Sequence, residues 1–242
     1  GLPPSKKLFE LYLNEDISYE NFVDSLLSSK SYGEKWASWW LDLARYADSK
    51  GYEADRGRMI WKYRDWVINA LNDDMPFDEF TINQLAGDLL ENPTIDNYIA
   101  TGFHRNTMTN DEGGTSNEEY RVASIIDRVN TTFDVWQGTT ISCVQCHAHP
   151  YDPIRHKEYY EVMSFFNNTR DYDHTTEEPN YRFYNQDDQQ KIQEVFSWIE
   201  KHGDQNLKDK YEDFIYLLEP KVLANEINSE VILNAGNINS MQ

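Results

Sequence analysis

The sequence predicts a mostly α-helical protein: an irregular multi-helix domain with long loops around a C-x-x-C-H motif, followed by a C-terminal αα-hairpin. Three observations carry that expectation. Apolar residues recur every three or four positions in one segment after another. The alternation expected of half-buried strands is nearly absent. Gly, Pro, Asn and Asp cluster at the breaks between the periodic segments. A chain of 242 residues with 7 Trp, 16 Tyr and 11 Phe has ample material for a buried core.

Leu8, Leu11 and Tyr12 mark a first short helix. Phe22, Val23, Leu26 and Leu27 mark a second, with Ser18 at its N-cap, where a hydroxyl can accept an amide of the first turn. The third is stronger, because Tyr32, Trp36, Trp39, Trp40, Leu43 and Ala47 share one stripe and read as the face of an aromatic core helix. A polar stretch from Lys50 to Arg58, holding Gly51 and Gly57, separates it from a helix over 61–71 that stops at Asn72-Asp73-Asp74-Met75-Pro76. Helices over 77–90 and 95–103 follow. Gly102 to Gly114, GFHRNTMTNDEGG, has no period and is rich in turn formers, so it reads as a long loop of the kind that often carries function.

A long helix then begins near Asn117, with Val122, Ile125, Ile126, Val129, Phe133 and Trp136 on one face and Gly138 as C-cap. It leads directly into the cysteine motif. Tyr159, Met163 and Phe166 mark the next helix, and Asp152 just before it suits an N-cap or a turn. The polar, Tyr-rich stretch Asp171 to Asp188 is the expected boundary between a helical domain over 1–170 and a second part over 171–242. In that second part Ile192, Val195, Phe196 and Ile199 form one arm of a helical hairpin. Leu207, Tyr211, Phe214, Ile215 and Leu218 form the other, and Pro220 ends it.

Charge narrows the function. With 22 Lys+Arg against 42 Asp+Glu the formal net charge is −20, which argues against nucleic acid and anionic membrane as partners and suits a basic one. No run reaches the about 18 apolar residues of a membrane span. Gly1-Leu2-Pro3-Pro4 supplies neither an initiator Met nor an apolar signal core, as expected of a processed or excised piece. Neither a G-x-S-x-G elbow nor a glycine-rich phosphate loop is present. Among so many acids, a neighbouring pair such as Glu118 and Glu119 says nothing about glycoside chemistry.

Cys143 and Cys146, the chain's 2 cysteines, stand three apart with His147 directly after them. Chance placement would give that arrangement on the order of 1 time in 5,000. C-x-x-C-H is the attachment signature of c-type haem: two thiols on one side of a turn add to the vinyl groups, and the adjacent imidazole meets the iron. The same residues are also compatible with a redox dithiol, with a zinc site that takes His149 as fourth ligand, or with an inert pair. For a haem iron, His104 and then Met108, both in the long loop, are the candidate sixth ligands, because His149 lies too close to His147 to reach the opposite face. A five-coordinate iron would imply small-ligand or peroxide chemistry. His156, His174 and His202 fall in polar stretches and read as solvated. Arg105, Arg121 and Arg128 suit haem propionates or ordinary salt bridges. Asp111 and Glu112, within Asn110-Asp111-Glu112-Gly113-Gly114, offer calcium ligands without EF-hand spacing, or a capped turn before the next helix.

Several stretches together resemble a known family. They are GLPP at the start, YGEKWASWWLDLARYADSKGYEAD (Tyr32 to Asp55), YRDWVINALNDDMPFDEFTINQLAGDLL (Tyr63 to Leu90), ATGFHRNTMTNDEGG (Ala100 to Gly114), DRVNTTFDVWQGTTISCVQCHAHPYDPI (Asp127 to Ile154) and EYYEVMSFFNNT (Glu158 to Thr169). In this order they resemble the DUF1549 family, also called the planctomycete cytochrome C-like domain PSCyt2. The resemblance runs over about residues 1 to 170. It implies a domain of a large exported bacterial protein, periplasmic or at the cell surface, beside a DUF1553 domain and sometimes carbohydrate-binding modules. Cys143, Cys146 and His147 match the family's C-x-x-C-H, and His104, Asn106, Met108, Asn110, Asp111 and Glu112 match its loop motif.

The combined expectation is a c-type haem-binding electron-transfer domain linked to polysaccharide use. Cys143 and Cys146 are the covalent anchors of haem c, His147 is the proximal ligand, His104 or Met108 the distal one, and calcium a further cofactor at Asp111 and Glu112. Two other readings stand beside it. One is a haem enzyme with an open iron site, linked to peroxide or sugar oxidation. The other is a non-haem, carbohydrate-associated interaction module in which Cys143 and Cys146 form a disulfide or hold a metal.

Overall fold

The computed structural model describes residues 2–110, 112–169, 186–203 and 205–208. Helices α1 (Lys6–Leu13), α2 (Tyr19–Leu27), α3 (Lys30–Leu43), α4 (Trp61–Asn72), α5 (Phe77–Ala86), α6 (Ile95–Ala100), α7 (Asn117–Gln137), α8 (His156–Phe166) and α9 (Gln186–His202) follow one another, with 3₁₀ turns at Gly87–Leu89, Thr101–Arg105 and Ser142–Gln145. Among the described residues, extended backbone pairs in a single isolated antiparallel bridge, Ser49 with Gly57. The protein is mostly α. No helix of the described residues is long and apolar enough to cross a membrane. Most of the expected boundary segment, residues 171–185, and the second hairpin arm from residue 209 onward lie outside the described residues.

The ends of the helices follow local chemistry. Ser18 caps α2 by accepting the Asn21 amide at 3.2 Å. Ser116 caps α7 through the Glu119 amide, and Gly138 closes it with φ 61°, a left-handed conformation that glycine adopts without steric cost. The helix expected over 95–103 ends at Ala100. It continues as 3₁₀ turn to Arg105 because Thr101 returns its hydroxyl to the Tyr98 carbonyl at 2.7 Å. The long loop therefore begins at Asn106, not at Gly102.

Helix α3 departs from its aromatic-core expectation. Its buried face is Gly33 and Ala37, continued by Ala44, while Trp36 and Trp39 stay about half exposed, at 44% and 54%. The reason is the close approach of α4. The Gly33 amide donates to Asn72 Oδ1 at 2.8 Å, and a β-carbon at Gly33 would stand 2.4 Å from the Ile68 carbonyl oxygen. Small residues permit that spacing, and two indoles do not fit between helices so near each other. Trp40 alone of the three turns inward, donating Nε1–H to Gln84 Oε1 at 2.8 Å and meeting Phe80 and Trp136 edge-on.

Two apolar clusters result. The first gathers Ala37, Ala44, Tyr63, Trp66, Val67, Ala70, Phe80, Ala100 and Phe103, with Trp66 stacked on Phe80 at 5.4 Å. Its buried Gln84 is engaged at both ends of the amide: Oε1 accepts from Trp40 and from the Tyr63 hydroxyl at 2.7 Å, and Nε2 donates to the Phe80 carbonyl. The second cluster is Val129, Ile141, Val144 and Tyr159, flanked by Phe133, Ile154, Val162, Met163 and Phe166. Helix α7 serves both, with Val135 and Trp136 on the first and Val129 and Phe133 on the second.

Candidate functional site

After Gly138 the chain enters the 3₁₀ turn Ser142–Gln145, which presents the motif. Ile141 and Val144 are sealed against Val129 and Tyr159, so the turn is seated by apolar burial and not by ion pairs. The Val144 amide donates to the Ile141 carbonyl at 2.9 Å and the Cys146 amide to the Cys143 carbonyl at 3.2 Å. Cys143 is half-buried on the cluster, Cys146 is exposed, and both are free thiols. His147 is exposed, with Nδ1 2.7 Å from the Ala148 carbonyl. A carbonyl only accepts, so Nδ1 carries the proton and Nε2 keeps its lone pair. That is the tautomer in which an imidazole ligates a metal through Nε2.

A second layer holds this turn. His156 donates Nδ1–H to the Val144 carbonyl at 2.8 Å, and the Tyr160 hydroxyl donates to the Gln145 carbonyl at 3.0 Å. His149 organises the loop that follows. Its side chain is 8% exposed, with Asp152 Oδ2 3.2 Å from Nδ1. Nε2–H donates to the Thr140 carbonyl at 3.2 Å, and Nδ1 accepts the Asp152 amide at 2.8 Å and the Tyr151 amide at 3.3 Å. With both ring nitrogens engaged, His149 is a loop pin. The zinc reading, which needed it as a ligand, finds no support in this arrangement. Asp152 is not the N-cap of α8, since that place belongs to Arg155, whose amide donates to Glu158 Oε2 at 2.7 Å.

The loop after the Thr101–Arg105 turn forms a separate, buried polar region. His104 is 1% exposed, its ring lies 5.2 Å from Phe103 and 5.1 Å from Phe166, and its Nε2 is 3.4 Å from the Leu85 carbonyl. Its own carbonyl accepts Nε–H of Arg128 at 2.9 Å, and Arg128 also donates to Thr169 Oγ1 at 3.2 Å. Arg58 holds the Arg105 and Thr107 carbonyls at 2.9 and 3.1 Å. Thr107 donates to Asp127 Oδ2, the oxygen that also takes Nη2–H of Arg45 at 2.7 Å. Asn106 is buried with neither side-chain amide atom hydrogen-bonded. Met108 is 51% exposed and lies against Gly51, where a β-carbon would stand 2.6 Å from Met108 Cγ.

The structure thus brings Cys143, Cys146 and His147 together on one turn. It places His104 in the core, adjoining the motif's cluster through Phe166, and Met108 on the surface beside Gly51. Glu112 donates its amide to Asn110 Oδ1 at 3.1 Å, and Asn110 in turn donates to Thr115 Oγ1 at 2.8 Å, which makes a tight turn before α7. Asp111 lies outside the described residues, and no group of three or more His, Cys, Asp and Glu among the described residues could hold a metal ion. Arg121 pairs with Glu118, the ordinary salt bridge of the two readings it had. One further group stands out: both carboxylate oxygens of Asp88 are sealed from water without a hydrogen-bond partner, and burial pushes its pKa up to about 7.

The sequence reading missed the roles of His149, His156 and Tyr160. His156 and Tyr160 stand four apart at the start of a helix just beyond the motif, a spacing that puts them on one face and could have pointed to them. The ordered motifs from Tyr32 to Thr169 fall within one continuous match: the PSCyt2 family model, described as a protein of unknown function (DUF1549), covers residues 1–171. The chain belongs to the PSCyt2 family. No curated protein and no solved structure matches it. The PSCyt2 region takes in α1 to α8 and the whole motif turn, and α9 lies beyond it.

Proposed function

We propose that this chain is a c-type haem-binding electron-transfer domain, with Cys143 and Cys146 as the covalent anchors and His147 as the proximal ligand. The observation that carries the reading is the protonated Nδ1 of His147 on the Ala148 carbonyl, beside two free thiols of the same turn. The donor set fits the group: two sulfurs of one turn for the thioethers, and an imidazole lone pair for the iron. Haem c supplies a one-electron couple when bound. The protein's part is to hold the turn on the Val129–Tyr159 cluster, to fix the imidazole tautomer, and to supply the net charge of −20 that steers a basic redox partner.

The wider reading rests on the family. The domain over 1–170 would work inside a larger exported protein, periplasmic or on the cell surface, next to a DUF1553-like domain and in the service of polysaccharide use. A specific observation favours a second reading, a haem enzyme with an open iron position linked to peroxide or sugar oxidation. Nε2 of His104 is 3.4 Å from the Leu85 carbonyl and Met108 lies on Gly51, so both distal candidates have other neighbours in this structure.

A pyridine haemochrome assay, with reduced-minus-oxidised spectra on protein exported together with cytochrome maturation factors, tests both. A covalent haem c spectrum at one haem per chain is expected. An exchangeable water at the iron would select the enzyme reading, and a bis-ligated spectrum the carrier. Colourless protein under those conditions would overturn both and leave the non-haem interaction module with its Cys143–Cys146 disulfide or metal.

A further inference from the structure

The two residues between the cysteines are gripped from outside the motif. Val144 and Gln145 each give up a carbonyl to a side chain of α8, to His156 Nδ1 at 2.8 Å and to the Tyr160 hydroxyl at 3.0 Å. The two rings brace each other edge to face, with centroids 5.1 Å apart. Between them in sequence stands Tyr159, buried in the cluster under the turn, its hydroxyl donating to Asn130 Oδ1 at 3.1 Å. The base of the grip is therefore fixed to α7. Carbonyls are acceptors only, so both side chains must donate, and a turn that pivots loses both bonds.

We propose that His156 and Tyr160 are positioning residues that hold the C-x-x-C turn in its dithiol form and oppose closure of a Cys143–Cys146 disulfide. Cys143 lies half-buried on the cluster while Cys146 faces solvent. A disulfide needs its sulfurs about 2.05 Å apart with a dihedral near 90°. On this proposal, closure to that geometry turns the backbone between the cysteines and draws the Val144 and Gln145 carbonyls off their donors. Closure by oxidised glutathione forms the Cys143–Cys146 sulfur–sulfur bond as the two thiols give up two protons and two electrons. The glutathione disulfide breaks and its two thiols take them up. The inference rests on the haem-anchor reading, in which a closed disulfide would withhold both sulfurs from attachment in an oxidising compartment.

The test uses the full chain produced without haem. Wild type, Tyr160→Phe, His156→Ala and His156→Gln are equilibrated in reduced and oxidised glutathione buffers, quenched, alkylated and weighed. Tyr160→Phe and His156→Ala are each expected to shift the equilibrium toward the disulfide about fivefold, the effect of one net hydrogen bond, and the double variant by roughly 20-fold. His156→Gln keeps an N–H donor and is expected to return to the wild-type value, which a purely packing role would not produce. Tyr160 is 47% exposed, so loss of its hydroxyl leaves the fold intact, as far-UV circular dichroism checks. Folded variants with a wild-type equilibrium, or with a shift toward the dithiol, overturn the proposal. Failure of the haem-anchor reading is seen separately, as wild type exported with maturation factors that yields no haemochrome.

Discussion

Asp88 provides the sharpest test of the electrostatics, because its carboxyl is sealed at both oxygens, has nothing but its own backbone amide to offset burial, and sits in the 3₁₀ turn between α5 and α6. Burial raises its pKa from 3.8 to about 7. Tyr98 on α6 is raised in turn, first by burial and then by the charge of Asp88. The folded state therefore holds the Asp88 proton more tightly than the unfolded chain does. Its contribution to stability is fully present below about pH 4 and is lost as the pH rises through about 7. A shift of about three units at 1.36 kcal/mol each sets an upper bound of ~4 kcal/mol, and the residue's partial contact with solvent brings the expected figure to about 2–3 kcal/mol. Asp88→Asn stays neutral throughout. It should match wild type near pH 4 and exceed it by about 2–3 kcal/mol near pH 8 in urea unfolding followed by circular dichroism. The comparison cancels the titration of every other carboxylate. Parallel pH profiles for the two proteins would show that the Asp88 carboxyl is ionised or solvated, and would refute the reasoning.

Gly33→Ala places a β-carbon 2.4 Å from the Ile68 carbonyl oxygen and 2.5 Å from Asn72 Cγ. Thermal unfolding should show a loss of about 1–3 kcal/mol as α3 and α4 are pushed apart. Arg128→Lys keeps the charge but cannot reach both the His104 carbonyl and Thr169 Oγ1. A loss of about 2–4 kcal/mol in denaturant unfolding is expected for this buried side chain. Met108→Leu should leave the visible spectrum of haem-loaded protein unchanged, because that side chain lies on Gly51. A changed spectrum would make Met108 an iron ligand.

What the sequence revealed and what it hid divide along physical lines. Helices with long apolar periods and standard caps were legible, as in the caps Ser18 and Gly138 and the start of α7 at Asn117, because capping and periodicity act within a few residues. The orientation of α3 was not. Its apolar stripe and its small-residue stripe both run the length of the helix, and only the distance to α4 decides which one is buried. The cysteine motif was legible because its chemistry is contiguous. Its supports were not, since His156 and Tyr160 act on backbone carbonyls of another segment, and histidine among polar neighbours looks the same whether solvated or engaged. His104 shows a different limit. Turn formers around it suggested a loop able to fold over a ligand, and they could not show that Arg128 holds its carbonyl and that its ring lies against the Leu85 carbonyl.

Helix α7 explains how two distant sequence motifs become one structure. Successive residues on a helix point about 100° apart, so Asp127, Arg128 and Val129 face three different neighbours. Asp127 takes Thr107 and Arg45, Arg128 takes the His104 carbonyl and Thr169, and Val129 lies under the motif turn. Asn130 adds the Tyr159 hydroxyl at 3.1 Å. A single turn of α7 thus fastens the HRNTMTN loop on one side and the base of the C-x-x-C-H turn on the other. The two sides use different contacts, hydrogen bonds alone for the loop, and for the motif apolar packing with the one Asn130–Tyr159 hydrogen bond. That arrangement is what allows Cys146 and His147 to stand exposed: the turn needs no burial of these two groups to hold its shape, because its shape is held from below by Val129 and Tyr159 and from the side by His156 and Tyr160.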